Sequence, residues 1–212
     1  MLSSSMAVYS PLQYGAHNIK YQEYSPASPL LPYIDCYWSV TGEKLGANDK
    51  SMLKVLPDGC SDMIFSRCPS SGYVGTITGV MSAYMGVPIS PDMLFLGVRF
   101  RPGGLRAMFQ TKADLFNGQR VNLVDLDQTW MELQERLNAN ERQWMNILNR
   151  YFITVINQDN DVQLSAHIAN IFDRIYRHHG NIAIQQLAEC EGLSTRHILR
   201  LFYEWTGLSP KA

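Results

Sequence analysis

Thirty residues near the C-terminus, NIAIQQLAECEGLSTRHILRLFYEWTGLSP at 181–210, leave the chain little choice of local fold. Ile184, Leu187 and Ala188 make the apolar face of a short helix. Gly192 is placed for the left-handed turn that lets a chain reverse. Ser194 is a good N-cap, and Leu193 before it is spaced to staple to Ile198. Ile198, Leu201, Phe202 and Trp205 then recur at i, i+3, i+4 and i+7, Gly207 follows as a helix-ending residue, and Pro210 blocks continuation. Upstream, Leu164, Ile168, Ile171, Phe172 and Ile175 form another apolar stripe, which ends at Gly180 after His178-His179. The spacing predicts a helix, a tight turn and a second helix, carried on a supporting helix.

With the packing face of the last helix subtracted, Thr195, Arg196, Leu199, Arg200 and Tyr203 are left exposed. Arg196 and Arg200 are i, i+4 neighbours and can enter one groove together. In a helix-turn-helix the second helix lies in the major groove, with its N-terminal residues at base edges. An arginine there donates two hydrogen bonds to guanine, worth about 1–3 kcal/mol of discrimination. Thr195 and Leu199 suit thymine methyls, and the amides near Ser194 suit a phosphate. The bland alternative is a helical hairpin with a solvated basic face. The tight turn, small Ala188, Gly192 and stapled cap together favour double-stranded DNA.

Residues 164–211 also resemble the first half of the AraC-type DNA-binding domain. The likeness rests on Ile182, Leu187 and Ala188, on Gly192-Leu193-Ser194, on Arg196 and Leu199-Arg200-Leu201-Phe202, and on Gly207-Leu208-Ser209-Pro210. It implies base-contacting roles at Thr195, Arg196, Leu199 and Arg200, and a second unit after a connecting helix. The sequence stops at Ala212, before such a unit, and DNA binding by this chain is therefore expected to be weak. The segment's charge agrees: Arg174, Arg177, Arg196, Arg200 and Lys211 are matched by Asp161, Asp173, Glu189, Glu191 and Glu204.

The whole chain carries a net charge of -1, so any basic surface must be local. Its 212 residues hold one large domain or two modest ones, and 46% hydrophobic with 17% charged residues excludes wholesale disorder. The four cysteines, Cys36, Cys60, Cys68 and Cys190, lie too far apart for a zinc knuckle or a disulfide framework. They read as free thiols in a reducing cytosol. With no signal-like N-terminus and no long apolar run, a cytoplasmic protein without a membrane span is expected.

The front half reads as β-rich. Ile34, Cys36, Trp38 and Val40 alternate with Asp35, Tyr37 and Ser39. Runs at 52–56 and 62–66 flank Pro57-Asp58-Gly59 and read as a hairpin. At 93–101, Leu94, Leu96, Val98 and Phe100 face one way while Phe95, Gly97, Arg99 and Arg101 face the other. The pattern turns helical after about residue 104. Trp130, Leu133, Leu137, Trp144, Ile147, Leu148 and Tyr151 make a stripe that is either core or a dimer seam. The fold class expected is α+β. A β-rich barrel or sandwich with a mobile N-terminal arm spans 1–119, a helical linker spans 120–160, and the helix-turn-helix spans 161–212.

The front half more weakly resembles the N-terminal domains of a branch of AraC-like regulators. The likeness lies in Leu31-Pro32-Tyr33-Ile34 with Tyr37-Trp38, in Leu56-Pro57-Asp58-Gly59-Cys60, and in Gly97-Val98-Arg99-Phe100-Arg101-Pro102-Gly103. It implies a sensing or dimerising role, with a small-molecule effector or a homodimer as the means of control. If the Arg99 face lines a pocket, Arg99 is placed to hold an anionic ligand with Trp38 or Tyr37 as an aromatic wall. Otherwise it meets solvent or an internal ion pair. Asp58 and Asp62 straddle Cys60 and suit either a catalytic pair or, more simply, turn chemistry. The only histidine before residue 160 is His17, which argues against a cupin-type metal site, and no hydrolase, nucleotide or zinc-protease motif is present. No cofactor, metal or enzymatic activity is expected. The alternative is a small-molecule-binding or enzymatic β-domain with a helical tail for protein contact.

Overall fold

The alternating run at 93–101 becomes the strand on which the N-terminal half is assembled. The computed structural model describes residues 12–13, 19–42, 52–68, 70, 72–88, 93–126, 129–158 and 165–210. The chain is α+β. In order it forms β1 (Leu12–Gln13), β2 (Ile19–Tyr24), β3 (Ile34–Gly42), β4 (Met52–Val55), β5 (Ser61–Cys68), β6 (Gly72–Thr78), β7 (Met85–Pro88) and β8 (Leu94–Phe100). Helix α1 (Gly104–Phe109) precedes β9 (Arg120–Asn122), and α2 (Thr129–Ala139), α3 (Trp144–Gln158), α4 (Ala166–Arg177), α5 (Ile184–Glu191) and α6 (Thr195–Thr206) complete the chain.

Two antiparallel sheets result, one in the order β2-β3-β8-β5-β6-β9 and one in the order β1-β4-β7. One face of the larger sheet carries Tyr37, Met63, Phe65, Leu96, Val98 and Phe100, all buried in the main core with Trp130, Leu133, Leu137, Trp144, Leu148 and Phe152 of α2 and α3. The other face meets the small sheet through Val40, Leu53 and Met93. Because β8 is covered on both sides, its residues from Leu96 onward are buried whichever way they point.

Four expectations change. The 120–160 segment is not a separate linker: β9 extends the sheet, and α2 and α3 close the main core, so the Trp130–Trp144 stripe is spent within the chain. Part of the supposed mobile arm is an edge strand, β2 pairing with β3 from Ile19↔Gly42 to Tyr24↔Tyr37; His17 falls outside the described residues. The hairpin across Pro57-Asp58-Gly59 does not form. Strand β4 pairs with β1 and β7 while β5 pairs with β6 and β8, so this turn carries the chain from one sheet to the other. Finally, the register shifts between Ile34 and Cys36. One extra residue there turns Ile34 onto the helix-covered face with Tyr37, while Cys36, Trp38 and Val40 keep the opposite face.

Helix α2 also protects a sheet edge. Strand β9 pairs only with Thr76, Ile77 and Thr78 of β6, which leaves the near end of β6 short of partners. The side-chain oxygens of Asn138 and Gln134 accept the Tyr73 and Gly75 amides there. Burying those N–H groups unpaired costs about 1–3 kcal/mol each, so the two amide side chains hold the helix in place as much as its apolar face does.

Candidate functional site

The helix-turn-helix is built as its local signals dictate. Gly192 has φ +65°, the left-handed turn, and Ser194 Oγ accepts the His197 amide at 3.2 Å. Gly207, with φ +72°, ends α6. Ile198 is fully buried among Ile168, Ile171, Phe172, Leu187 and Ala188, and Leu193, Leu201, Phe202 and Trp205 pack around them. Leu164 lies outside the described residues.

All five predicted contact residues, Ser194, Thr195, Arg196, Leu199 and Arg200, are exposed, and so is Tyr203. Arg196 makes no ion pair among the described residues. Arg200 is engaged within its own helix, 3.6 Å from Glu204 and 3.1 Å from His197 Nε2. Such exposed i, i+4 pairs are worth only about 0.3–0.5 kcal/mol, so Arg200 is easily drawn away by a phosphate or a base.

Two features of this unit were not foreseen. The Glu191 side chain, at the end of α5, is 4% exposed and accepts hydrogen bonds from His167, Asn170 and Arg174 of α4. Burial works against its charge, but those three hydrogen bonds hold the carboxyl below its ordinary range. The tail of α6 is gripped by the β-domain. Arg106 donates to the Glu204 carbonyl at 2.7 Å and lies over the Trp205 ring, while Asn117 Nδ2 donates to the Gly207 carbonyl at 2.6 Å. These carbonyls have no partner within α6, and a cation at a helix C-terminus complements its dipole. The exposed first turns of α6 therefore lie at the end opposite this anchor.

The second site lies between the sheets. Arg99, Trp38, Tyr21, Asp58, Asp62 and Phe95 are among the walls of a largely apolar cavity of about 70 Å³. Arg99 is 7% exposed and meets three carboxylates: Glu23 at 3.2 Å, Asp58 at 3.2 Å and Asp62 at 3.9 Å. It is thus both a pocket wall and the centre of an internal ion cluster. Burial opposes its charge, but Asp62 and Asp58 outweigh that and raise its pKa further. Burial pushes the Asp62 carboxyl up to about 6, against the pull of Arg99 and of the Trp38 N–H that reaches it at 2.8 Å. Burial likewise pushes the neighbouring Cys36 thiol up to about 12, so it stays protonated at neutral pH. Arg101 pairs with Asp35 at 3.5 Å.

Trp38 takes the expected place, and Gly97 explains how. A side chain at Gly97 would run into the indole, which lies flat across β8 only because residue 97 has none. Tyr37 does not join it. Adjacent strand residues point to opposite faces, and Tyr37 is fully buried against Trp144, its hydroxyl donating to Asn149 Oδ1 at 3.0 Å. Asp58 takes the turn role, one oxygen accepting the Cys60 amide, and its other oxygen reaches Arg99. His178 and His179 close the end of α4, and among the described residues no cluster of His, Cys, Asp or Glu is placed to hold a metal. Nor is any helix of the described residues long and apolar enough to cross a membrane.

Residues 22–122 match a known domain family. Its description is Domain of unknown function (DUF6597). The matched stretch runs from β2 to β9 and contains the whole ion cluster and every wall of the cavity except Tyr21. Helices α2 to α6 lie beyond it. No curated protein and no solved structure matches the chain.

Proposed function

We propose that the protein is a sequence-specific, DNA-binding transcription regulator, in which α6 reads the major groove and the β-rich domain controls it through a small molecule or through dimerisation. The observation that carries this is the division of labour along α6. Its first two turns present Thr195, Arg196, Leu199 and Arg200 to solvent, while its last turn is tied to the domain that holds the cavity. Domains of the matched family often stand N-terminal to AraC-type helix-turn-helix units, which supports the same assignment. Those exposed residues contact bases, and the amides that follow the Ser194 cap take a phosphate.

The test is selection of duplexes from a random pool, followed by binding measured across a salt series. Affinity is expected to fall steeply with salt, because phosphate contacts release counterions. Arg196→Ala is expected to cost about 1–3 kcal/mol and to relax preference at one base pair. Salt-independent binding, or unchanged preference in Arg196→Ala and Arg200→Ala together, sinks the assignment. The cavity favours a second reading, a small-molecule-binding β-domain whose helical tail contacts protein. Ligand binding by a chain that selects no duplex would favour it.

A further inference from the structure

The strand registers set one polar row across the cavity face of the large sheet: Cys36 pairs with Arg99, Arg99 with Asp62, Asp62 with Thr78, and Thr78 with Arg120. Three of the four charged groups clustered at Arg99 stand on paired strands, Glu23 on β2, Asp62 on β5 and Arg99 itself on β8. Asp58 does not. It lies in the turn that carries the chain from β4 to β5, where residues 56–60 make no backbone-to-backbone hydrogen bond among the described residues. Its side chain holds that turn: Oδ1 accepts the Cys60 amide at 2.9 Å, and Oδ2 stands 3.2 Å from Arg99 Nε. Leaving one partner of a buried ion pair alone is costly, so the turn follows Arg99.

The outer side of the same turn faces α6. Gly59 and Ser61 line a crevice of about 10 Å³ with Arg101, Gly103, Trp205 and Thr206. That is room for about one water, so the turn and the end of α6 fit closely. A Cβ on Gly103 would stand 3.2 Å from Trp205 Cε3 and 3.3 Å from Phe172 Cε2, so the indole lies against the backbone that follows β8. Arg106 and Asn117 fasten the carbonyls on either side of it, those of Glu204 and Gly207. Close-packed groups pass a displacement on to their neighbours.

We infer that the 57–61 turn couples the two units: the charge cluster around Arg99 sets the turn through Asp58, and Gly59 and Ser61 on its far side set the seat of Trp205 and the end of α6. A change of charge in the cluster therefore repositions α6. Glu23 meets the same arginine from β2, which contributes nothing to the crevice, so the two carboxylates separate the turn from a general effect of charge. The coupling gives the proposed regulator its path of control and rests on that reading for its purpose. Its test needs no DNA, so a chain that bound no duplex would still show it, and its failure would leave DNA binding standing.

The four tryptophans report on both ends of this path. Trp38 walls the cavity, Trp205 sits at the crevice, and Trp130 and Trp144 lie in the main core on the other face of the sheet. Fluorine NMR of the full chain labelled with fluorotryptophan reads all four, with Trp38→Phe and Trp205→Phe to assign the two that matter. Asp58→Asn keeps an acceptor for the Cys60 amide and removes the charge facing Arg99. It is expected to move the Trp205 resonance by more than its linewidth while Trp130 and Trp144 stay in place. Glu23→Gln takes an equal charge from Arg99 and is expected to leave Trp205 where it is. An unmoved Trp205 in folded Asp58→Asn overturns the inference, and so does Glu23→Gln moving it as far. Coupling between two sites is reciprocal, so Arg106→Gln, outside the cavity walls, is expected to move Trp38. That variant decides the matter if Asp58→Asn fails to fold, because an unmoved Trp38 also overturns the inference.

Discussion

Arg99 and Glu191 are mirror images. Each is a nearly buried charge ringed by three partners, yet the two regions settle their electrostatics differently. Around Glu191 the partners are His167, Asn170 and Arg174, and the anion is met by hydrogen bonds from side chains that still reach water. Around Arg99 one cation faces Glu23, Asp58 and Asp62, so negative charge is in surplus and is taken out of water. A proton on Asp62 is the natural remedy, and its raised pKa reflects the same pressure. The helical unit stabilises a charge for the sake of packing α5 on α4. The β-domain instead keeps an unbalanced polar row beside an apolar cavity.

The comparison breaks most clearly at Arg99. Arg99→Met leaves three carboxylates crowded together without their cation, and is expected to cost about 3–5 kcal/mol in urea unfolding at pH 7. Glu191→Gln is expected to cost about 2 kcal/mol in the same measurement, since the amide keeps some hydrogen bonds but loses its charge-assisted ones. If the two losses were equal, the surplus of charge at Arg99 would have no energetic meaning.

The pH dependence sharpens the contrast, because the two carboxyls shift in opposite directions. Asp62 titrates near 6 in the folded chain against about 3.9 in an unfolded one, so the native state binds the extra proton between those values. Stability from this group therefore rises as pH falls, by about 1.4 kcal/mol between pH 7 and pH 5, and Asp62→Asn should abolish that rise. Glu191, lowered in the fold, contributes stability that is present above its unfolded value and lost as pH falls through its folded one. Unfolding curves at pH 7, 5 and 3.5 for both variants separate the two. A flat Asp62→Asn difference across pH 7 to 5 would show that the carboxyl is not strained.

What could be read from the sequence followed the range of the interaction. Gly192, Ser194 and Gly207 act on neighbours within a turn or two, and all three stand where their residue types require. The partition of β8 into Leu96, Val98 and Phe100 against Phe95 and Arg99 is equally local. Tyr37 and Trp38 read alike as aromatic walls in the sequence, although strand alternation alone separates them. The failures are non-local. Nothing in Pro57-Asp58-Gly59 says that its two flanking strands belong to different sheets, because that depends on β1, β7 and β8 as partners. The extra residue beside Ile34 is visible only from the register with β8. Thr78 and Arg120 carry no motif, and become a pair only because β6 and β9 align them.

The grip on the tail of α6 makes that helix a lever. Twelve residues give it a length of about 18 Å, fastened at one end by Arg106 and Asn117 and exposed at the other. A tilt of about 10° at the fastening would sweep Arg196 through about 2–3 Å, enough to break a hydrogen bond. Arg106 and Asn117 come from α1 and the turn before β9, which follow directly on the strand that carries Arg99. A small repacking inside the cavity thus has a short mechanical route to a large displacement at the far tip.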